Sequence, residues 1–271
     1  MFSTLNKIIK IFLQKFQILL KIDKDYKLAN HNLILPANHP LPYYQKRHKL
    51  YDKFLPHISK FLENNSTIID IGANCGDTLV AMYHSNKNLN YVCIEMNNFF
   101  FKNYLKKNID NLKISKNKNK IQCFNIKINN KKNNSLDELV QRNKINKISF
   151  LKSDVDGYDY DIINSSKKTI TKFKPIIFFE LQVDNLSQKK LYENTINNLK
   201  KLNYNHWYIF DNYGEFILKT NNILQVSQLI NYTWKQNKKE TTRTIHYYDI
   251  LTCQDKNKLL IDKVIKKYEL R

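Results

Sequence analysis

The run Thr67-Ile68-Ile69-Asp70-Ile71-Gly72-Ala73-Asn74-Cys75-Gly76-Asp77 decides how the rest of this sequence is read. Its first five residues are mostly apolar and β-branched, which favours a buried strand. Gly72 and Gly76 follow at once, and they are two of only four glycines in the chain. Glycines that scarce, four positions apart behind a strand, predict a loop whose backbone must adopt conformations that other residues resist. An amphipathic stretch opens at Asp77, so the segment reads as strand, glycine loop, helix. In an open α/β sheet this is where ligands sit, because the helix N-terminus presents unpaired amide donors beyond the strand end.

The same alternation continues downstream. Strands are expected at Thr67–Ile71, Tyr91–Glu95, Ile121–Ile126, Ile148–Ser153 and Ile176–Glu180. Between and after them, helical spacing is expected at Asp77–Ser85, Asn98–Asn108, Ser135–Asn143, Asp159–Ser166 and Ser187–Leu202. Alternating strands and helices specify an α/β fold with a mostly parallel sheet and helices on both faces. Shorter β-like pieces, Trp207–Phe210, Glu215–Lys219 and Ile245–Leu251, are expected to close the sheet, with Asn212-Tyr213-Gly214 as a hairpin turn. Hydrophobic residues make up 42% of the 271, which supplies a core for one large domain.

Four segments are expected: a basic amphipathic helix at 1–28, an extended Pro-containing segment and helix at 29–64, the α/β domain at 65–255, and a helical tail at 256–271. In the first, Ile8, Ile9, Phe12, Phe16, Leu19 and Leu20 recur at helical spacing while Lys7, Lys10, Lys15 and Lys21 take other positions. The lysines interrupt every apolar run short of the ~18 residues of a membrane span, and no small-residue cleavage site follows. Packing on the domain or on a second subunit is the plainer expectation for this helix, and peripheral membrane contact through residues 1–24 is the alternative. Between the helix and the domain, an extended strand and loop are expected over 30–44, and one helix over Gln45–Glu63.

Lysine and arginine total 45 against 24 acidic residues, a formal charge of +21. The excess is spread along the chain without an arginine block, a zinc-finger spacing or an RNA-binding aromatic signature, so a nucleic-acid partner is disfavoured. Cys75, Cys93, Cys123 and Cys253 form no CxxC pair; they fit a reducing cytoplasm and buried packing, and speak against a zinc site or disulfides.

A dinucleotide loop would read GxGxxG, but Asn74 stands where the middle glycine belongs. Asp70 ends the strand and Asp77 opens the helix, a pair that would repel a pyrophosphate and suit an ammonium and a sulfonium. Glu95 ends the next strand, where a carboxylate accepts ribose hydroxyls. These residues favour S-adenosylmethionine over NAD, with Asp70, Gly72, Asn74, Gly76, Asp77 and Glu95 as its expected binding residues.

The segment Ile68 to Thr78 closely resembles the first motif of the FkbM family of methyltransferases. The resemblance continues in Phe150-Leu151-Lys152-Ser153-Asp154-Val155-Asp156-Gly157-Tyr158-Asp159, where aspartates at 156 and 159 replace the family's usual glutamates. Further matches are Ser135-Leu136-Asp137-Glu138-Leu139, Lys174-Pro175-Ile176-Ile177 with Glu180, and Asp211-Asn212-Tyr213-Gly214, so the likeness spans about Leu33 to Leu251. It implies a class I, Rossmann-like methyltransferase fold with seven strands, S-adenosylmethionine as donor, and a hydroxyl of a sugar, polysaccharide or related small molecule as acceptor.

A hydroxyl attacks poorly until it loses its proton, so a base is needed. Asp154, Asp156 and Glu180 are the expected catalytic carboxylates, one acting as base; the group could alternatively hold a divalent ion, which the lack of a histidine cluster disfavours. Asp159 is expected to cap the following helix. Lys152 either pairs with a carboxylate or faces outward. His39 lies in the Pro-rich loop and could cover the acceptor, although solvent exposure is the commoner fate of a lone loop histidine, and His84 is expected to be structural. Two alternatives stay open: an RNA or protein acceptor, and a non-catalytic module working at membranes.

Overall fold

The structure, a computed structural model, describes residues 23–28, 30–112, 121–129, 133–238 and 245–270. Its strands in chain order are β1 (Asp23–Leu28), β2 (His31–Pro36), β3 (Thr67–Ile71), β4 (Asn90–Ile94), β5 (Ile121–Phe124), β6 (Ile148–Ser153), β7 (Ile176–Leu181), β8 (His206–Asp211), β9 (Phe216–Thr220) and β10 (Tyr248–Cys253). β1 and β2 form a separate antiparallel hairpin; the other eight make one sheet in the order β5-β4-β3-β6-β7-β10-β8-β9. β5, β4, β3, β6 and β7 are parallel, whereas β10, β8 and β9 are antiparallel to their neighbours. Every residue of β3 and of β7 is buried, as central strands covered on both faces must be.

Side chains alternate across this sheet into two cores. Ile68, Phe150, Phe178, Leu251 and Tyr208 point to one face, covered by the helices Asp77–Ser85, Phe54–Ser59 and Asp255–Glu269. Ile69, Leu151, Ile177, Ile250 and Ile209 point to the other, covered by Leu136–Arg142, Asp159–Asn164, Leu186–Lys201 and Ile223–Asn237. The chain leaves β3 toward β4 and β5 in one direction and resumes at β6 and β7 in the other. Strand order therefore reverses between β3 and β6, which opens a crevice at their carboxyl ends.

The five expected strands and the three shorter β pieces are all present, so the sheet has eight strands where the family resemblance implied seven, with β9 pairing on the outer edge of β8. The β8–β9 hairpin turns through residues 212–214 as expected. β10 inserts between β7 and β8.

The N-terminal expectations change more. Residues 23–28, expected as the end of a helix, form β1, because Tyr26 and Leu28 alternate and lie against Leu33 and His31 of β2. The rest of the expected helix, residues 1–22, lies outside the described residues. The single helix expected over Gln45–Glu63 is two, Leu41–Arg47 and Phe54–Ser59, separated by a turn in which Asp52 has φ +56°. Pro56 explains the break: it has no N–H to donate to the preceding turn, so it is tolerated only in the first turn of a new helix. Pro42 likewise sits in the first turn of Leu41–Arg47, where a loop was expected.

The hairpin is tied to the glycine loop. The Asn108 amide accepts from Ile34 N–H (2.7 Å) and donates to the carbonyls of Ile34 (2.9 Å) and Cys75 (2.8 Å). The C-terminal helix closes the opposite flank: Tyr268 donates to the Gly214 carbonyl at 2.9 Å, and its ring meets Phe54 edge-on. Among the described residues no helix is long and apolar enough to cross a membrane.

Candidate active site

A cavity of about 570 Å3 opens where the strand order reverses. The β3 loop forms its first wall. Gly72 has φ +80°, and a Cβ there would lie 1.9 Å from the Asp154 carbonyl oxygen, so the two motif loops cross with no room for a side chain. The crossing is held by Gly72 N–H donating to the Ile94 carbonyl (2.9 Å) and Asp154 N–H donating to the Ile71 carbonyl (3.0 Å). Asn74, at φ +46°, donates its N–H to Glu95 Oε2 (2.8 Å), and Asn97 N–H donates to Glu95 Oε1 (2.6 Å). Glu95 therefore shapes the loop, with one acceptor site left on each oxygen.

Gly72, Asn74 and Asp77 line the cavity; Asp70, Gly76 and Glu95 do not. Gly76, at φ +81°, starts the Asp77–Ser85 helix and lies against Leu105, so its role is to let the chain enter the helix. Asp70 is 1% exposed and paired with Lys152 Nζ at 2.9 Å. Direct contact between Asp70 and a ligand, expected from the sequence, is replaced by a buried ion pair, because register puts Lys152 of β6 beside it. Lys152 also reaches Asp154 at 3.3 Å. Burial alone would lower its pKa, but Asp70 and Asp154 outweigh burial and hold it well above the usual lysine value. The sequence left Lys152 either paired or outward-facing, and it is paired.

The second motif forms the next wall. Asp156 (φ +53°) and Gly157 (φ +83°) are consecutive left-handed residues, and the tight turn brings the Asp156 carboxyl to the cavity. Burial first, then Asp154, raises its pKa. Asp159, expected as a cap, begins the helix Asp159–Asn164 and is fully buried, accepting from Ser153 Oγ at 2.5 Å. Burial pushes its carboxyl up to about 7. It fastens the motif loop and stays off the cavity wall.

Glu180 lines the cavity from the end of β7 and is 6% exposed, with Oε1 lacking a hydrogen-bond partner. Burial, then Asp154 and other carboxylates, holds it well above its ordinary value. All three expected catalytic carboxylates, Asp154, Asp156 and Glu180, thus share one cavity. His39 lines it too, and burial lowers its pKa. His84 packs edge-on against His31 away from it.

The cavity residues that the sequence reading did not single out include Tyr51, Asp52, Tyr247 and Asp249. Asp52 is exposed on the cavity wall, where the crowding of surrounding groups, then Asp77 and Asp154, raises its carboxyl above the ordinary range. The available signal for Asp249 was a single carboxylate in the otherwise uncharged strand Tyr248–Cys253. Asp52 had no comparable signal, since the turn that presents it was read as helix.

Six carboxylates, at 52, 77, 154, 156, 180 and 249, thus face a cavity on which, among the described residues, Lys152 is the one lysine and no arginine stands. Inside a chain of +21, this concavity favours a cationic ligand and repels phosphate. Among the described residues no three His, Cys, Asp or Glu side chains converge in a group able to hold a metal ion.

The sheet order, the reversed switch point and the glycine loop define a class I methyltransferase fold. Residues 54–206 match the methyltransferase FkbM domain, and the chain belongs to that family. Among solved structures, a human methyltransferase 10 domain containing protein has the same fold at TM-score 0.50 and 9% identity, covering 89% of this chain and 94% of that one. Methyltransferase FkbM from Methylobacillus flagellatus KT matches at TM-score 0.38 and 14% identity over 52% of this chain and 48% of its own. A precorrin-6y C5,15-methyltransferase from Geobacter metallireducens GS-15 matches at 0.43 and 11%, over 74% and 87%. A comparison with curated proteins found no match.

Proposed function

We propose that this methyltransferase binds S-adenosylmethionine in the β3 half of the cavity and transfers its methyl group to a hydroxyl of a sugar, polysaccharide or related small molecule. The observation that carries the donor assignment is the charge of the wall. Asp77 and Asp154 face the cavity beside the Gly72 and Asn74 backbone, a set that suits an ammonium and a sulfonium. Glu95, behind Asn74 and off the cavity wall, supports the donor loop by accepting from the Asn74 and Asn97 N–H groups. Asp70 acts indirectly, holding Lys152 and through it Asp154.

The donor supplies a methyl carbon already activated by positive sulfur. The chain's own work is to align, to exclude water and to take a proton. Carboxylates at 154, 156 and 180 stand on the far side of the donor loop as candidate proton acceptors, and the ordered ring of Tyr51 is beside them. Tyr44 and Tyr51 stack with centroids 5.0 Å apart and both reach the cavity, giving a flat apolar surface of the kind a sugar ring packs against. The acidic wall speaks against a nucleic-acid acceptor, whose phosphates it would repel.

Calorimetry with S-adenosylmethionine and its demethylated product tests the donor half. Binding is expected, and it is expected to weaken in Asp77→Asn without loss of fold by circular dichroism. No binding to the folded full-length chain would sink the reading.

A further inference from the structure

β10 runs antiparallel between β7 and β8, and its register sets Asp249 directly opposite Glu180. Opposed residues on antiparallel neighbours point to the same face with Cβ atoms about 4.5–5.5 Å apart. Both line the cavity, and Glu180 Oε1 is buried without a hydrogen-bond partner. The lysine on the cavity wall is committed to Asp70 and Asp154, at 2.9 and 3.3 Å. Two carboxylates set opposite each other on neighbouring strands and facing one cavity, with no further cation among the described wall residues, oppose each other's ionisation, and the protons leave in two separated steps that belong to the pair.

We propose that Glu180 and Asp249 form a carboxyl pair holding one proton between them at neutral pH, and that its remaining negative charge is the base that takes the acceptor's hydroxyl proton. The base role rests on the hydroxyl-methylating reading above; the shared proton does not. Other elements face the pair with Asp154 and Asp156 from the loop after β6, Asp159 behind that loop, Asp52 before Phe54–Ser59, and Lys152 from β6. Tyr247 stands beside it, and Tyr192 donates its hydroxyl to the Glu180 carbonyl at 3.0 Å. The four aspartates reinforce proton retention, and Lys152 opposes it. In the reaction the acceptor O–H gives its proton to the charged carboxylate, and the oxygen's electron pair forms the new O–CH3 bond. The electrons of the methyl–sulfur bond return to sulfur, leaving a neutral thioether. The pair, then doubly protonated, returns one proton to water.

The test is carbon-13 NMR of the full chain labelled at Asp and Glu side-chain carboxyls, titrated over about pH 4 to 9. Glu180, assigned by its loss in Glu180→Gln, is expected to titrate above the usual carboxylate range in the wild type. Its midpoint is expected to fall by at least about one pH unit in Asp249→Asn. A midpoint unmoved by that change overturns the pair. Should the asparagine variant fail to fold, Asp249→Ser reads the same shift. With labelled donor and a panel of monosaccharides, either amide variant is expected to slow methyl transfer at least ~100-fold while donor affinity holds. Transfer at wild-type rate in both variants removes the base role. A folded chain that binds no donor defeats the proposed function alone, since the titration is read without donor.

Discussion

Two acidic spots lie on the same face of one sheet, a strand apart, and they behave oppositely. At the first, Asp70 and Asp154 flank the buried Lys152 ammonium. At the second, Glu180 and Asp249 oppose each other across β7 and β10, and among the described residues no basic side chain stands directly across from either in that register. The first is a rivet: one cation on β6 ties the glycine loop's strand to the second motif, and its pull on Asp70 opposes the upward push of burial on that carboxyl. The second is a site where burial and like charge keep protons bound. Carboxylates become structural or reactive here according to whether a neighbouring strand brings a lysine into register.

The comparison breaks most visibly at the rivet. Lys152→Met strands Asp70 in the core, and a loss of about 3–5 kcal/mol is expected in denaturant melts, as for any buried pair cut on one side. Adding Asp70→Leu is expected to recover most of it, because a well-packed apolar pair needs no compensation. If the double variant is no more stable than the single, the pair is not the source of the loss.

Gly72→Ala comes next. The new Cβ would meet the Asp154 carbonyl at 1.9 Å, in a backbone with φ +80°. A loss of about 1–3 kcal/mol is expected, with donor binding falling alongside in calorimetry, since the loops must separate.

The second spot responds with the opposite sign. A carboxyl whose folded pKa lies above its unfolded value binds more protons in the native state between the two, so stability falls as pH rises through that window. Asp249→Asn removes this penalty. The variant's melting temperature is expected to exceed the wild type's by ~2 °C or more near pH 8, the scale of about 1 kcal/mol in a chain of this length, and to match it near pH 4. A difference that is flat with pH would contradict the raised pKa.

Asp154→Asn should show the smallest change in stability, about 0–1 kcal/mol, because its side chain is 48% exposed and Lys152 keeps Asp70. Its donor affinity, by contrast, is expected to drop measurably. Unchanged affinity would reduce Asp154 to a partner of Lys152.

The parallel half of the sheet was legible because hydrophobic runs bounded by glycine loops leave few alternatives. β3 and β6 fall at their expected residues, and β4, β5 and β7 differ by one or two at their ends. The N-terminal region was less legible: Pro40, Pro42 and Pro56 suggest breaks without saying that two of them begin helices, and β1 is a strand only because β2 pairs with it. Of the residues singled out by local motifs, Gly72, Asn74, Asp77, Asp154, Asp156 and Glu180 line the cavity, and Asp70, Gly76 and Glu95 lie off its wall. Asp52 and Asp249 line it without a motif to mark them, since only what faces them sets them apart.

The sequence by itself determined the strand–loop–helix at Thr67–Ser85, the second acidic loop and the family, because each depends on residues within a dozen positions whose steric and hydrogen-bonding needs are local. Only the tertiary structure decided which carboxylate meets a lysine and which faces another carboxylate. That choice rests on register between strands far apart in the chain, Asp70 beside Lys152 and Glu180 opposite Asp249. Electrostatic energy depends on distance and burial, and no spacing along the chain encodes either.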